Sequence, residues 1–211
     1  MRKSNLTIGI DIGSVSVNTV VCSADGKLIE ELPYVRHFGK TLETAARSVA
    51  TVEKTYGPEA VKRVVFTGSH GEKLAQELKT FFEIETTAQT RGLHELMPEA
   101  RTVISIGGHD SALLVVSASG KGFMLDDFKL NGACAAGTGS FIDQQAERVY
   151  ADKGEFKTIS DPQARMEAIL GQFIAEGETS DSPANVACRC TVFTKSDMIH
   201  LQNKGIAIRH I

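Results

Sequence analysis

The sequence predicts an α/β protein built from two related halves, and three observations carry that reading. A meander of three short strands with a glycine-rich first corner occurs near the N-terminus and again from Arg101. Between the two, short strand-like runs alternate with segments of helical spacing. After the second meander the apolar spacing turns helical, at Phe141–Val149 and again at Thr194–Asn203. Two passes through one pattern in 211 residues point to duplication, with a first half at 1–97 and a second at 98–211.

Leu6–Ile12 is an apolar run broken by Gly9 and Asp11, and Val17–Cys22 is a second; joined through Gly13, Ser14, Val15 and Ser16 they read as a β-hairpin. Asp25-Gly26 is a turn signal, and Lys27–Leu32, stopping before Pro33, supplies a third antiparallel strand. Thr41–Tyr56 has alanine, valine and leucine at helical spacing, with Thr41 and Glu43 suited to its first turn and Gly57-Pro58 to its end. Val61–Thr67 reads as a buried strand, and Gly68-Ser69-His70-Gly71 as a turn into a helix ending near Leu78, with His70 a surface turn residue. Phe82–Thr87 reads as a further strand and Ala88–Leu96 as a helix stopped before Pro98. The second meander runs through Thr102–Ile106, the Gly107-Gly108 corner, Ser111–Val116, a turn at Ala118-Ser119-Gly120, and Gly122–Phe128. The polar stretch from Ala151 to Asn185, with Pro162 and Pro183 and a helical patch at Ala164–Ala175, reads as an excursion rather than a domain. Thr194 and Ser196 are cap candidates for the last helix, and Gly205 is its stop.

A hydrophobic share of 42% and a charged share of 23% are ordinary for a globular protein with a real core. The formal net charge of −3 gives no global electrostatic reason to bind nucleic acid or an anionic membrane. MRKSNLTIGIDIG meets an aspartate before any apolar run is complete, and no window reaches transmembrane length, so the expected location is the cytoplasm. The four cysteines, Cys22, Cys134, Cys188 and Cys190, are too few and too irregular for a disulfide scaffold. In a reducing compartment, metal or redox use is the sharper alternative.

Two kinds of stretch carry chemistry. At the first corner, an aspartate beside a Gly-Ser turn can hold magnesium through water while N–H groups and hydroxyls hold phosphates, although Gly-Ser corners are common in hairpins. Asn131–Phe141, NGACAAGTGSF, joins a cysteine to a flexible turn entering a helix. Gly137, Thr138 and Gly139 let backbone approach an anion, free N–H groups are expected to point outward at the helix start, and the dipole there favours a Cys134 thiolate. The alternative is a buried cysteine ahead of an ordinary glycine turn. Cys188 and Cys190 stand just ahead of the last helix; Cys188 reads as a packing residue, and Cys22 as buried and inert.

Four motifs in order resemble the ATP-dependent activators of 2-hydroxyacyl-CoA dehydratases and the related benzoyl-CoA reductase ATPase subunits, the BadF/BadG/BcrA/BcrD-type ATPases. GIDIGSVSVN resembles their first phosphate motif and ETTAQTRGLHELMPEARTVISIGGHDSALL their second phosphate region. NGACAAGTGSF and CTVFTKSDMIHLQNKG resemble their two cluster-cysteine motifs. The resemblance implies the actin/sugar-kinase/heat-shock-chaperone ATPase fold, two ribonuclease-H-like α/β halves with a nucleotide in the cleft. It implies ATP and Mg, with Asp11 and Asp110 as catalytic carboxylates and Gly13, Ser14, Val15, Ser16, Asn18, Gly107, Gly108, His109, Gly137, Thr138 and Gly139 around the nucleotide. It implies one 4Fe-4S cluster shared across a homodimer, with Cys134 and Cys190 as the ligands from each subunit. ATP turnover would then drive a low-potential electron from ferredoxin or flavodoxin onto a dehydratase-like partner enzyme or fused domain.

The sequence also departs from that pattern. Asn18 stands where the family usually has lysine, Ser105 where it has aspartate, and His109 where it commonly has glutamine. The first two changes are expected to weaken hydrolysis. The stretch Asp152–Asn185 lengthens the spacing between the two cysteines, and the family's further adenosine-holding glycine motif and closing helix are not in this sequence. A fragment with a truncated second half and weak or absent nucleotide binding in isolation is therefore expected. Two other readings stay open: a non-catalytic binding or scaffold module of the same fold, and a small-molecule kinase, which gives no reason for cysteines at two helix entrances.

Overall fold

A computed structural model describes residues 5–119, 122–132, 137–188 and 190–211. The first sheet has the order β3-β2-β1-β5-β6, with β4 paired to β2. Its strands are β1 (Leu6–Ile12), β2 (Ser16–Cys22), β3 (Leu28–Glu31), β4 (Val35–Arg36), β5 (Val61–Thr67) and β6 (Phe81–Phe82). β1 lies at its centre, antiparallel to β2 and parallel to β5. Period-2 alternation puts Leu6, Ile8, Ile10 and Ile12 on one face, each at most 1% exposed. They share a core with Ala45 and Val52 of α1 (Thr41–Tyr56) and with Leu74 and Ala75 of α2 (Gly71–Leu78). Fully burying each such aliphatic side chain contributes on the order of 1.5–3 kcal/mol, so this strand anchors the half. The opposite face of β1 carries Thr7, Gly9 and Asp11, which leaves the carboxylate at the C-terminal end of a rigid strand.

α3 (Glu85–Leu96) starts earlier than expected, and Glu85, Thr86 and Thr87 are helical rather than extended. The strand ends where the Glu83 N–H bonds the Phe66 carbonyl, and the helix begins where the Ala88 N–H bonds that of Ile84. The paired threonines read as β-formers, but a helix tolerates them in its first turn, where the Thr86 carbonyl accepts the Thr90 hydroxyl at 2.7 Å. β4 was not foreseen; it resumes after Pro33 and pairs with Ser16 and Val17.

The second meander forms a sheet of order β7-β8-β9, made of β7 (Thr102–Ile106), β8 (Ser111–Ser119) and β9 (Gly122–Leu130). Ala118 and Ser119 belong to β8 rather than to a turn, and Gly120 lies outside the described residues. Among the described residues four α-helices follow: α4 (Thr138–Tyr150), α5 (Gly154–Lys157), α6 (Pro162–Glu178) and α7 (Thr191–Asn203). The stretch expected to be an excursion is structural. Pro162 opens α6 at a position that needs no N–H, and the Asp161 carboxylate caps it by accepting the Ala164 N–H at 2.8 Å. Ile169 of α6 and Phe156 of α5 then pack with Ala146 and Tyr150 of α4 in a second core. The buried Tyr150 hydroxyl donates to Glu176.

α4 and α7 both begin three residues before the expected starts. Thr194 and Ser196 are not caps: their hydroxyls bond back to the carbonyls of Cys190 and Val192 inside the first turns of α7. The chain divides into two compact units, Met1–Ser105 with Leu113–Lys129, and Ile106–Ala112 with Leu130–Ile211. Among the described residues no helix is long and apolar enough to cross a membrane.

Candidate functional site

The first corner, between β1 and β2, belongs to the first unit. Its carbonyls, all but that of Ser14, are taken up by donors. That of Ile12 accepts the His70 N–H at 3.0 Å, that of Val15 the His37 N–H at 3.1 Å, and that of Ser16 the Gly13 N–H at 3.0 Å. The Gly13 carbonyl accepts two side chains, His37 Nε2–H at 3.2 Å and His70 Nδ1–H at 3.1 Å. No acceptor for the N–H groups of Ser14 and Val15 lies among the described residues. A loop whose carbonyls are consumed while N–H groups stay unpaired has the electrostatics of an anion nest.

Asp11 sits beside this loop. The side-chain amide of Asn18 donates to its Oδ2 at 3.5 Å and to Ser16 Oγ at 3.5 Å. Its Oδ1 is buried with no partner, as is the hydroxyl of Thr67, the residue opposite it in the β1/β5 register. Burial pushes the Asp11 carboxyl above its ordinary value, opposed by the Asn18 bond. A buried carboxylate with an unsatisfied oxygen fits a nearby cation such as magnesium, which would restore the charged form. Gly68 makes the close packing possible: at φ +85°, a Cβ there would stand 2.2 Å from Asp11 Oδ1 and 2.6 Å from the Ile12 carbonyl.

The second corner, Gly107–Asp110, belongs to the second unit and is held by the start of α4. The Gly139 N–H bonds the Gly107 carbonyl at 3.1 Å, that of Ser140 the Gly108 carbonyl at 2.9 Å, and that of Gly137 the His109 carbonyl at 2.6 Å. The outward-pointing N–H groups expected at Gly137 and Gly139 are thus spent on the corner itself. The peptide bonds are trans, so each captured carbonyl turns the next N–H the other way. The N–H groups of Gly108, His109 and Asp110 face away from α4 and have no acceptor among the described residues. The Ser111 hydroxyl pairs with that of Thr138 at 3.0 Å, and the Ser111 N–H donates to Asn131 Oδ1 at 2.8 Å, tying β8 to the same loop. A Cβ on Gly139 would meet the Gly107 carbonyl at 2.8 Å, so the glycine there serves close approach. The side chains of His109 and Asp110 are exposed. In the first unit, Ser105 accepts a bond from Gln89 of α3 at 3.2 Å.

Of the cysteines, Cys134 lies outside the described residues. Cys190 is the half-buried N-cap residue of α7, and its side chain makes no capping bond. The preceding loop is pinned to α7: the Ala187 N–H donates to Asp197 at 2.9 Å, and its carbonyl accepts the Thr194 hydroxyl. Cys188 is exposed, and Cys22 is half-buried at the end of β2, where burial pushes its thiol up.

Sequence reasoning missed His37, Thr67 and Gly68 as parts of the first corner and took His70 for a surface turn residue only. His70 is indeed exposed, yet it also bonds the loop. The available signal was Thr67-Gly68-Ser69-His70 after a strand that can lie parallel to β1, which places the turn after β5 beside the corner after β1.

The fold that carries these corners is the α/β fold of a dehydratase activator of known structure. The structure matches that of the activator of the 2-hydroxyisocaproyl-CoA dehydratase from Clostridium difficile, solved with bound ADPNP. The TM-score is 0.73 over 98% of this chain and 69% of that one, at 24% identity. The chain belongs to the BadF/BadG/BcrA/BcrD ATPase family, whose sequence profile matches residues 8–211. It is 29% identical over 210 residues to the 2-hydroxyisocaproyl-CoA dehydratase activator of Clostridioides difficile, covering 97% of this chain and 69% of that protein. It is also 29% identical over 207 residues to the activator of lactoyl-CoA dehydratase of Anaerotignum propionicum, covering 97% of this chain and 71% of that protein.

Proposed function

We propose that this chain is an ATP-dependent activator that passes a low-potential electron, through a 4Fe-4S cluster bridging a homodimer, to a 2-hydroxyacyl-CoA dehydratase or related reductase-type partner. The observation that carries the nucleotide part is that at each corner most carbonyls are spent while N–H groups have no acceptor among the described residues, the first corner lying beside the buried carboxylate of Asp11. Ser14 and Val15 would hold phosphate at the first corner, where Asp11 would order magnesium through water, and Gly108, His109 and Asp110 would offer donors to an anion at the second. Bound magnesium would neutralise developing charge on the transferred phosphoryl group. Gly137, Thr138 and Gly139 would serve by holding the second corner in shape.

For the electron-transfer part the support is the family membership and the position of Cys190 at the mouth of α7. Cys134 and Cys190 would supply two thiolates from each subunit, and the cluster would carry the electron received from ferredoxin or flavodoxin. Anaerobic reconstitution followed by iron and sulfide analysis tests this: Cys134→Ala and Cys190→Ala are each expected to lose nearly all cluster iron and to lower the dimer fraction. Iron equal to wild type in either variant removes that residue from the site.

Asn18 favours a second reading, a non-catalytic module of the same fold. Its neutral amide is spent on Asp11 and Ser16 and brings no positive charge to the first corner. Tight Mg-ATP binding without hydrolysis and without iron uptake would select it.

A further inference from the structure

Two histidines far apart in sequence converge on one backbone atom of the first corner. His37, on the segment after β4, is 7% exposed. Its Nδ1 accepts the Gly39 N–H at 3.0 Å, so the ring carries its proton on Nε2, and that proton goes to the Gly13 carbonyl at 3.2 Å. His70, in the turn after β5, brings Nδ1 to within 3.1 Å of the same oxygen and 3.2 Å of Ser69 Oγ. The two rings lie 6.1 Å apart edge to face. Each histidine also ties the loop through its own backbone, His70 to the Ile12 carbonyl and His37 to that of Val15.

A carbonyl that accepts two ring donors has a fixed direction, and in a trans peptide the following N–H points the opposite way. We infer that His37 and His70 are positioning residues for phosphate binding: by holding the Gly13 carbonyl, they aim the Ser14 N–H at an anionic phosphate of a bound nucleotide. Without them the Gly13–Ser14 peptide is free to flip, and a flipped peptide presents a carbonyl oxygen to the anion in place of a donor. The inference rests on the nucleotide reading given above and extends it to two residues outside the phosphate motifs. His70 is the cleaner one to alter, because it is exposed and packs no core.

The test is calorimetric titration of wild type, His70→Ala, His70→Asn and His37→Gln with Mg-ATP and with Mg-ADP, beside the thermal midpoint of each without nucleotide. Asparagine keeps a donor where Nδ1 stands, and glutamine keeps one where Nε2 stands. Losing one oriented bond is expected to weaken binding of either nucleotide by about 3- to 10-fold in His70→Ala, with the midpoint unchanged. Recovery to within about 2-fold of wild type is expected in His70→Asn and His37→Gln. Unchanged affinity in His70→Ala overturns the inference while leaving the nucleotide reading intact, and so does equal weakening in His70→Ala and His70→Asn. Failure of wild type itself to bind either nucleotide overturns the nucleotide reading and this inference together.

Discussion

The two glycine corners reach the same electrostatic state by different means. At Gly107–Asp110 the carbonyls are captured by backbone N–H groups at the start of α4, the segment next along the chain after the second meander. At Gly13–Ser16 the work is divided between backbone and two histidine rings that stand 24 and 57 residues from Gly13 in sequence. A backbone clamp depends on glycine spacing and tolerates side-chain change. A side-chain clamp depends on particular residues that no local pattern announces. The first corner is therefore the more easily broken by changing a side chain, while both corners suffer when a Cβ is added where chain segments touch.

The largest effect is expected from Gly68→Ala, which places a methyl group 2.2 Å from Asp11 Oδ1 in a left-handed conformation. Chemical denaturation should show a loss of about 3 kcal/mol or more, with nucleotide binding abolished. Gly139→Ala is the matching change at the second corner. Its Cβ meets the Gly107 carbonyl at 2.8 Å in a helical conformation that alanine accepts, so the expected loss is smaller, about 1–3 kcal/mol. Equal losses in the two variants would remove the distinction between the corners.

A further contrast is titratable. Because burial raises the Asp11 carboxyl, the native state holds its proton more tightly than the unfolded chain does. That contribution to stability is present at pH below the ordinary carboxylate value and is lost as pH rises through the raised native value. Asp11→Asn removes the loss, so without metal its thermal midpoint should exceed that of wild type at neutral pH and match it more closely in acid. Added magnesium and nucleotide should stabilise wild type more than the variant. The smallest effect is expected from Ser111→Ala, which deletes the hydroxyl pair with Thr138 at the second corner. Denaturation should show about 1 kcal/mol, with nucleotide affinity nearly kept, since the backbone clamp survives.

Much of this was legible along the chain because its signals are local. Alternation in LTIGIDI located β1, helical spacing and Gly57 bounded α1, and Gly13 and the Gly107-Gly108 pair marked the two corners. Helix starts were read three residues late at α4 and α7, because the glycine and threonine residues there look like loop and cap until tertiary partners absorb their hydrogen bonds. The segment with Pro162 looked like an excursion because its apolar face is narrow, and its worth as core appears only where Tyr150 and Ile169 meet.

By itself the sequence determined the order of the main strands and helices, though not β4 or α5, together with the two glycine corners and the family, since these are written in periodicity and in short motifs of contiguous residues. Only the tertiary structure decided which backbone groups remain free at those corners. That follows from hydrogen bonds to Gly13 from His37 and His70, and to Gly107 from Gly139, and such pairings come from strand register and helix docking rather than from sequence neighbours.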